Sequence, residues 1–386
     1  MKAIVTGMIA TYPVGGVAWD YGQYALGLER LGFEVYYLED TGLDAYHPVQ
    51  REYGQDYRYG IDFLGRSLAA LSGALGARWH ARTNDGRTHG LAPEDFGDVL
   101  AEADLFLNVS GSALMREDYL RCRNKVFIDT DPGFNQLRNF PRWDRNPDWK
   151  GTHGYRAHEH FFTYAGLIGT PECELPALGL DWHPTRPPVV LDLWQAQPPG
   201  ERWTTVMTWR NFPELIEHRG RRYGAKELEF EQVETLPRRT RARLELAVGG
   251  TAPPRSRWSS LGWSVVDSHD VSTTMDDYRA YIERSKAEFS VAKNVYVATR
   301  SGWFSCRTVC YLAAGLPAVI QDTGYSRYVP CGEGLLAFSS LEEAASGIER
   351  VEADYPRHQR AARALAEAHF DSGRVLAEML ERVGLG

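Results

Sequence analysis

The chain has 386 residues, of which 43% are hydrophobic and 24% charged, and its formal net charge is −8. That length suits two domains with buried cores, and the acidic balance excludes a non-specific nucleic-acid binder, which needs a basic footprint. No run of about 18 apolar residues occurs, so no membrane span is expected. The opening MKAIVTG reads as a first strand rather than a signal peptide. Five cysteines without a CxxC pair argue against a zinc ribbon or a disulfide framework, and for a reducing, cytoplasmic setting.

In chain order, residues 2–7 predict a strand, residues 18–31 an amphipathic helix stopped by Gly32, and residues 33–38 a second strand. This order is a right-handed parallel βαβ unit. Gly15 and Gly16 give backbone freedom at the helix start, suited to a phosphate or sugar contact, although they do not form GxGxxG. Asp20 lies in the first turns of that helix. It reads either as an acid complementing the helix dipole or as a general base facing a cleft. Residues 41–60 read as an ordered loop and residues 61–75 as a helix.

Strands are expected at 105–109 and 125–129, each ending in small polar residues where a parallel sheet has its ligand edge. The second ends in Asp129-Thr130-Asp131, a DxD triplet followed at once by Pro132-Gly133. Loop capping, a hydrogen-bonding role in the cleft and metal binding are all open for Asp129 and Asp131. His153, His158 and His160 fall in an aromatic segment. In extended chain, His158 and His160 share one face. Further ligands at zinc spacing are missing, so no metal site is expected. A cleft base or donor is the functional reading of these histidines, and hydrogen bonding to loop backbone the plainer one.

Proline concentrates at 184–201, which reads as the connection between domains. A new strand is expected at 204–209, ending in Arg210-Asn211. The charged stretch 214–243 reads as solvated helix and loop, with Tyr223 to Lys226 offered to the cleft. Strands at 244–248 and 263–267 and a helix at 275–287 follow. Residues 295–298 read as a strand, 304–314 as a helix and 318–321 as a strand. Between the first two, Thr299-Arg300-Ser301-Gly302 makes a polar turn. A helix start after a parallel strand presents unpaired N–H groups and a partial positive charge, suited to a diphosphate. Ser301, Gly302, Trp303, Phe304 and Ser305 are the expected backbone contacts. Arg210 and Lys293 are the expected cations, and Asp322 and Thr323 lie at the next strand end. Two helices, 341–351 and 358–381, close the chain.

Two β/α halves joined by a Pro-rich linker resemble the GT-B architecture: an α/β fold of two Rossmann-like domains facing across a cleft, with a C-terminal helix crossing back. Gly15-Gly16 with Leu31-Gly32-Phe33-Glu34-Val35 resembles the opening of bacterial glycosyltransferases. Cys310 to Val319 (CYLAAGLPAV) is similar to their donor-site helix and strand, and Gly332 to Phe338 with Leu341 to Ala344 to the tail that follows. The retaining E-x7-E group would place glutamates where Gly302 and Cys310 stand, and neither is acidic. The resemblance implies an acceptor-side domain at 1–190, a nucleotide-sugar domain at 191–365 and a returning helix at 366–386. It implies transfer of a hexose-type sugar from a nucleotide-diphosphate donor, UDP by default, to an acceptor, with no cofactor required. Asp20, His158 or His160 would be the base, and Gly15, Gly16, Asp129, Asp131 and His153 would face the acceptor. A sugar-nucleotide epimerase on the same fold, or a non-catalytic nucleotide-binding protein, would account for the same pattern.

Overall fold

A computed structural model describes residues 1–147, 149, 153–195, 198–210 and 215–386. Asn211, part of the charged stretch at residue 214, and residues 196–197 of the Pro-rich connection lie outside the described residues. Among the described residues the first half carries ten strands: β1 (Lys2–Thr6), β2 (Glu34–Glu39), β3 (Ala45–His47), β4 (Glu52–Gly54), β5 (Trp79–Arg82), β6 (Thr88–Gly90), β7 (Leu105–Val109), β8 (Lys125–Asp129), β9 (His160–Thr163) and β10 (Trp182–Pro184). Eight of these form one sheet in the order β10-β9-β8-β7-β1-β2-β5-β6. Its pairs are parallel except for the edge strand β6. β3 and β4 make a separate hairpin in the stretch expected to be loop.

The second half carries β11 (Arg202–Thr208), β12 (Ile216–His218), β13 (Arg221–Tyr223), β14 (Arg243–Gly249), β15 (Ser264–Asp267), β16 (Ala287–Ser290), β17 (Ala318–Gln321) and β18 (Leu335–Phe338). Six of them form an all-parallel sheet in the order β15-β14-β11-β16-β17-β18. The central strands are buried on both faces, as parallel sheets covered by helices require, although β11 carries Thr204 and Thr205 and β16 carries Glu288 and Ser290.

Two further expectations are corrected. Residues 295–298 are not a strand; Asn294–Ala298 is a short helix, and the strand preceding it is β16. β16 takes the central place between β11 and β17. Val295 and Tyr296 are thereby left to bury their side chains beside Phe134 of the first lobe instead. The last helix is also not continuous. Tyr355–His369 and Ser372–Val383 are separated because Val189 bridges the chain there, donating to Phe370 O at 2.8 Å and accepting from Ser372 N at 2.9 Å. Asp371 then caps the second helix by accepting from Arg374 N.

That last helix packs on the helix Gly15–Arg30. A Cβ on Gly27 would lie 2.6 Å from Leu376 Cδ1 and 3.0 Å from Ser372 Cβ, so any larger residue would make the last helix give way. The Pro-rich connection is partly internal: Val189, Val190 and Trp194 are buried. Gln23 of the first lobe accepts from both Val190 N (3.1 Å) and Trp194 Nε1 (3.2 Å).

Candidate active site between the lobes

The C-terminal ends of β8 and β16 face each other. Arg300 (φ +49°) and Gly302 (φ +79°) reverse the chain before the helix Cys306–Ala313. In this turn Ser301 N donates to Tyr296 O, Gly302 N to Thr323 O, and Trp303 N to Ser301 Oγ. From the other lobe Leu167 N donates to Ser301 O at 3.0 Å. Trp303 stacks on Tyr296 with ring centroids 4.4 Å apart, and its Nε1 donates to Thr130 O at 2.9 Å. Ser301, Gly302 and Trp303 are therefore lobe–lobe contacts, which corrects their expected role as diphosphate contacts. Their donors are spent inside the protein. The N–H groups of Phe304, Ser305 and Cys306 carry no hydrogen bond among those described, as the start of a helix leaves them.

The missing glutamates acquire a physical reason. A Cβ on Gly302 would lie 2.9 Å from Leu167 N, so the turn admits no side chain. Cys310 is buried against Gln23, whose Nε2 lies 3.9 Å from its sulfur. A carboxylate at either place would be crowded or desolvated.

Charge gathers beneath that helix start. Arg307 donates from Nε to Glu288 (2.7 Å), from one terminal nitrogen to Val206 O (2.8 Å) and from the other to Ser290. Burial works against the guanidinium's charge, but Glu288 outweighs it and raises its pKa. Glu288 is 0% exposed, and its second oxygen has no partner among the described residues. Lys226, buried and bonded to Val291 O, is pushed well below the ordinary lysine range by burial and by Arg307 and Lys293. Arg307 and Glu288 went unnoticed in the sequence. Their signal was a charge inside an otherwise apolar strand and another on the inner face of an apolar helix. Arg210, expected as a phosphate partner, lies 4.0 Å from Glu227, half-exposed, just before residues outside the description.

Asp20 faces this helix start across the gap. Burial pushes its carboxyl up to about 7, the Asp131 charge adds to that, and a hydrogen bond from the Cys306 thiol opposes it. Tyr24 and Tyr164 hydroxyls meet behind it at 2.6 Å. Asp131 is joined to Lys293 Nζ at 2.6 Å and to the Tyr296 hydroxyl. Lys293 and Asp131, expected to serve donor and acceptor separately, thus pair across the lobes.

Other expected site residues are placed elsewhere or occupied. Asp129 is buried, and its two oxygens accept from Asn135 (2.8 Å), Gln136 (2.6 Å) and Thr163 (3.0 Å). Burial raises its pKa to about 6. It braces the loop and is not open to a ligand. Gly15 N and Gly16 N donate to Ser272 O and Oγ, so this pair is a lobe–lobe contact rather than a sugar contact. Asp322 caps the turn through Gly324 N and Ser326 Oγ, and Thr323 Oγ1 donates to Trp303 O; both hold the turn.

The histidines are a clear correction. His158 is buried beside Phe127, with Nδ1 2.8 Å from Tyr155 O and Nε2 3.1 Å from Asn108. His160 begins β9, at the end of the strand opposite the ligand edge. His153 lies at the surface 3.5 Å from Glu117. Two residues' separation put His158 and His160 near one another, but strand direction carried them away from the cleft. Among the described residues no group of three or more His, Cys, Asp or Glu could hold a metal ion, and no helix is long and apolar enough to cross a membrane.

Residues 226–381 match the model of a glycosyl transferase-like family. A comparison with curated proteins finds no match. Among solved structures, Alr3699/HepE of Anabaena in complex with UDP and glucose aligns with a TM-score of 0.57 at 12% identity, over 99% of this chain and all of that one. An alpha-glucosyltransferase (AGT) in complex with UDP aligns at 0.55 and 11%, over the whole of both chains. The fold is GT-B. AviGT4, a glycosyltransferase involved in avilamycin A biosynthesis, aligns at 0.55 and 13%, over 99% of this chain and 97% of its own. The GT-B lobes meet at the strand ends, and the family match takes in Lys226, Glu288, Lys293 and the whole of the helix Cys306–Ala313. The glycosyltransferase reading of the sequence agrees with the family match, and the expected GT-B fold with the solved structures.

Proposed function

We propose that this GT-B protein is a glycosyltransferase that moves a hexose-type sugar from a UDP-type donor to an acceptor. The observation that carries it is the helix start at Phe304, Ser305 and Cys306: three open N–H donors above Arg307, with Lys226 and Lys293 nearby, opposed across the gap by Asp20. Fixed N–H dipoles beside the Arg307 and Lys293 charges stabilise a departing diphosphate without reorganising, and Lys226, held toward its neutral form by burial, adds a hydrogen-bond donor. The donor belongs to the lobe of residues 191–365 and the acceptor to that of 1–190, with 366–386 returning to the first.

In the transfer, the acceptor oxygen bonds to the anomeric carbon as the bond to the phosphate oxygen breaks. The electron pair leaves with the diphosphate, and the acceptor proton passes to Asp20. A carboxyl near 7 suits that task, because a general base works best with a pKa near the operating pH. Isothermal titration with UDP, ADP and GDP tests the reading. UDP is expected to bind, and Lys226→Ala and Lys293→Ala each to weaken it. Absence of binding by any nucleotide, or full affinity in both variants, would remove the donor assignment.

A further inference from the structure

The β3–β4 hairpin carries aromatic rings that the transfer chemistry does not use. Tyr46 and Tyr53 are cross-strand partners with centroids 5.1 Å apart, and Tyr12, from the loop after β1, meets Tyr53 edge-on at 6.1 Å. Tyr46 N donates to Thr11 O, fixing the hairpin against that loop. On the neighbouring strand position His47 packs against Tyr59 at 5.0 Å. Tyr53 is 63% exposed and Val49, in the hairpin's turn, is 64% exposed. A two-stranded hairpin is marginal alone. This one is anchored to the second lobe by Arg51, 2.8 Å from Asp267 at the end of β15. Two residues beyond Tyr12, Val14 and Gly15 begin the helix that touches Ser272 across the gap. The rings therefore stand at the mouth of the space between the lobes.

Their chemistry narrows the occupant. Arg51 in the hairpin and Arg58, at the start of the helix that follows, are paired with Asp267 and Asp56, so neither is an unpaired arginine for a phosphate or carboxylate. What it offers is the exposed face of Tyr53 beside the half-buried Tyr12 and Tyr46, with the Tyr12 and Tyr53 hydroxyls bonded to one another at the edge, which suits a molecule with one apolar face and a hydroxylated edge. We infer that Tyr12, Tyr46 and Tyr53 form a docking platform for the acceptor, and that the acceptor presents a neutral saccharide ring there. This rests on the glycosyltransferase reading and adds the chemical class of the acceptor to it.

Ligand-observed NMR titrations with maltotriose and cellotriose test it, with 4-nitrophenol as a flat aromatic probe and UDP titrated into the same samples. At least one trisaccharide is expected to bind. Tyr53→Ala is expected to weaken it roughly three- to tenfold, the size of a lost aromatic contact. Tyr53→Phe is expected to stay within about twofold and Tyr53→Trp to tighten binding, because both keep the face. The two aromatic variants keep the test decisive if the alanine variant fails to fold. Failure of both trisaccharides to bind, equal affinity in Tyr53→Ala, or a preference for 4-nitrophenol over both sugars would overturn the platform. Loss of UDP binding with sugar binding intact would overturn the donor reading and leave the platform standing.

Discussion

The carboxylate of Asp131 and the ammonium of Lys293 lie 2.6 Å apart and join the end of β8 to the end of β16. The Tyr296 hydroxyl donates to the same carboxylate. Burial pushes the Asp131 pKa up, but the lysine's charge and hydrogen bond outweigh it and hold the group below the usual carboxylate range. The stabilisation from a depressed carboxylate is present above its unfolded pKa and is lost as pH falls through the folded value.

Lys293→Met should therefore lower stability at pH 7 by about 1 kcal/mol, a modest figure because the Asp131 side chain is 48% exposed. Thermal melts across pH check the sign. The gap between wild type and variant should close as pH falls through the depressed folded value of Asp131, where the carboxyl becomes protonated in both states. A gap that persists in acid would mean the lysine acts by packing on Phe134 and Tyr296 instead.

Asp20 behaves in the opposite sense. Its folded pKa of about 7 lies above the unfolded value, so the fold prefers the protonated form and stability falls as pH rises from about 4 to 7. Asp20→Asn should melt higher than wild type at pH 8, by on the order of 2 kcal/mol, and equally at pH 4. The same variant should lose at least about a hundredfold in transfer rate while still binding UDP. A variant that is both active and no more stable would show that Asp20, the sixth residue of its helix, takes no part in transfer.

The pair Arg307–Glu288 is buried and closed on one side only. Arg307→Met leaves the Glu288 carboxylate buried without its cation, and denaturant unfolding should show a loss of about 3 to 5 kcal/mol. Adding Glu288→Leu should recover most of that loss but not UDP affinity. Recovery of both would place Arg307 in the core alone.

His158 offers a structural control. Burial lowers its pKa to about 4, so the neutral ring stabilises the fold fully above the unfolded value near 6.5, and that contribution drains away between about 6.5 and 4. His158→Gln should lose about 1 to 3 kcal/mol at pH 7, because Asn108 and the Tyr155 carbonyl lose partners. Transfer by the folded fraction should stay within about twofold. A change in the pH–rate profile would return the residue to the site.

Strand periodicity, glycine stops and Pro-rich punctuation, read locally, sufficed for most of the fold. β7, β8 and β17 lie where their residues indicated, because buried parallel strands are short apolar runs. The short helix Asn294–Ala298 escaped notice, since four apolar residues have no period long enough to tell helix from strand. Of the residues singled out from the sequence, Phe304, Ser305, Lys293, Asp20 and Asp131 lie together in the proposed site, while Cys306 was not among them. Which donors stay open was not legible. Gly15, Gly16 and the Trp303 indole spend their donors on the other lobe, and Ser301 and Gly302 spend their N–H groups within their own.

From its residues alone, this protein is a two-lobed α/β chain with a diphosphate-suited helix start in its second half, because helix ends, strand runs and turns are set by neighbours a few residues away. The tertiary structure decided the rest. Asp131 meets Lys293 across 162 residues of chain, Glu288 neutralises Arg307, and His158 turns inward. These pairings follow from which strand ends abut and which side chains lose water, and such long-range packing leaves no periodic trace in the sequence.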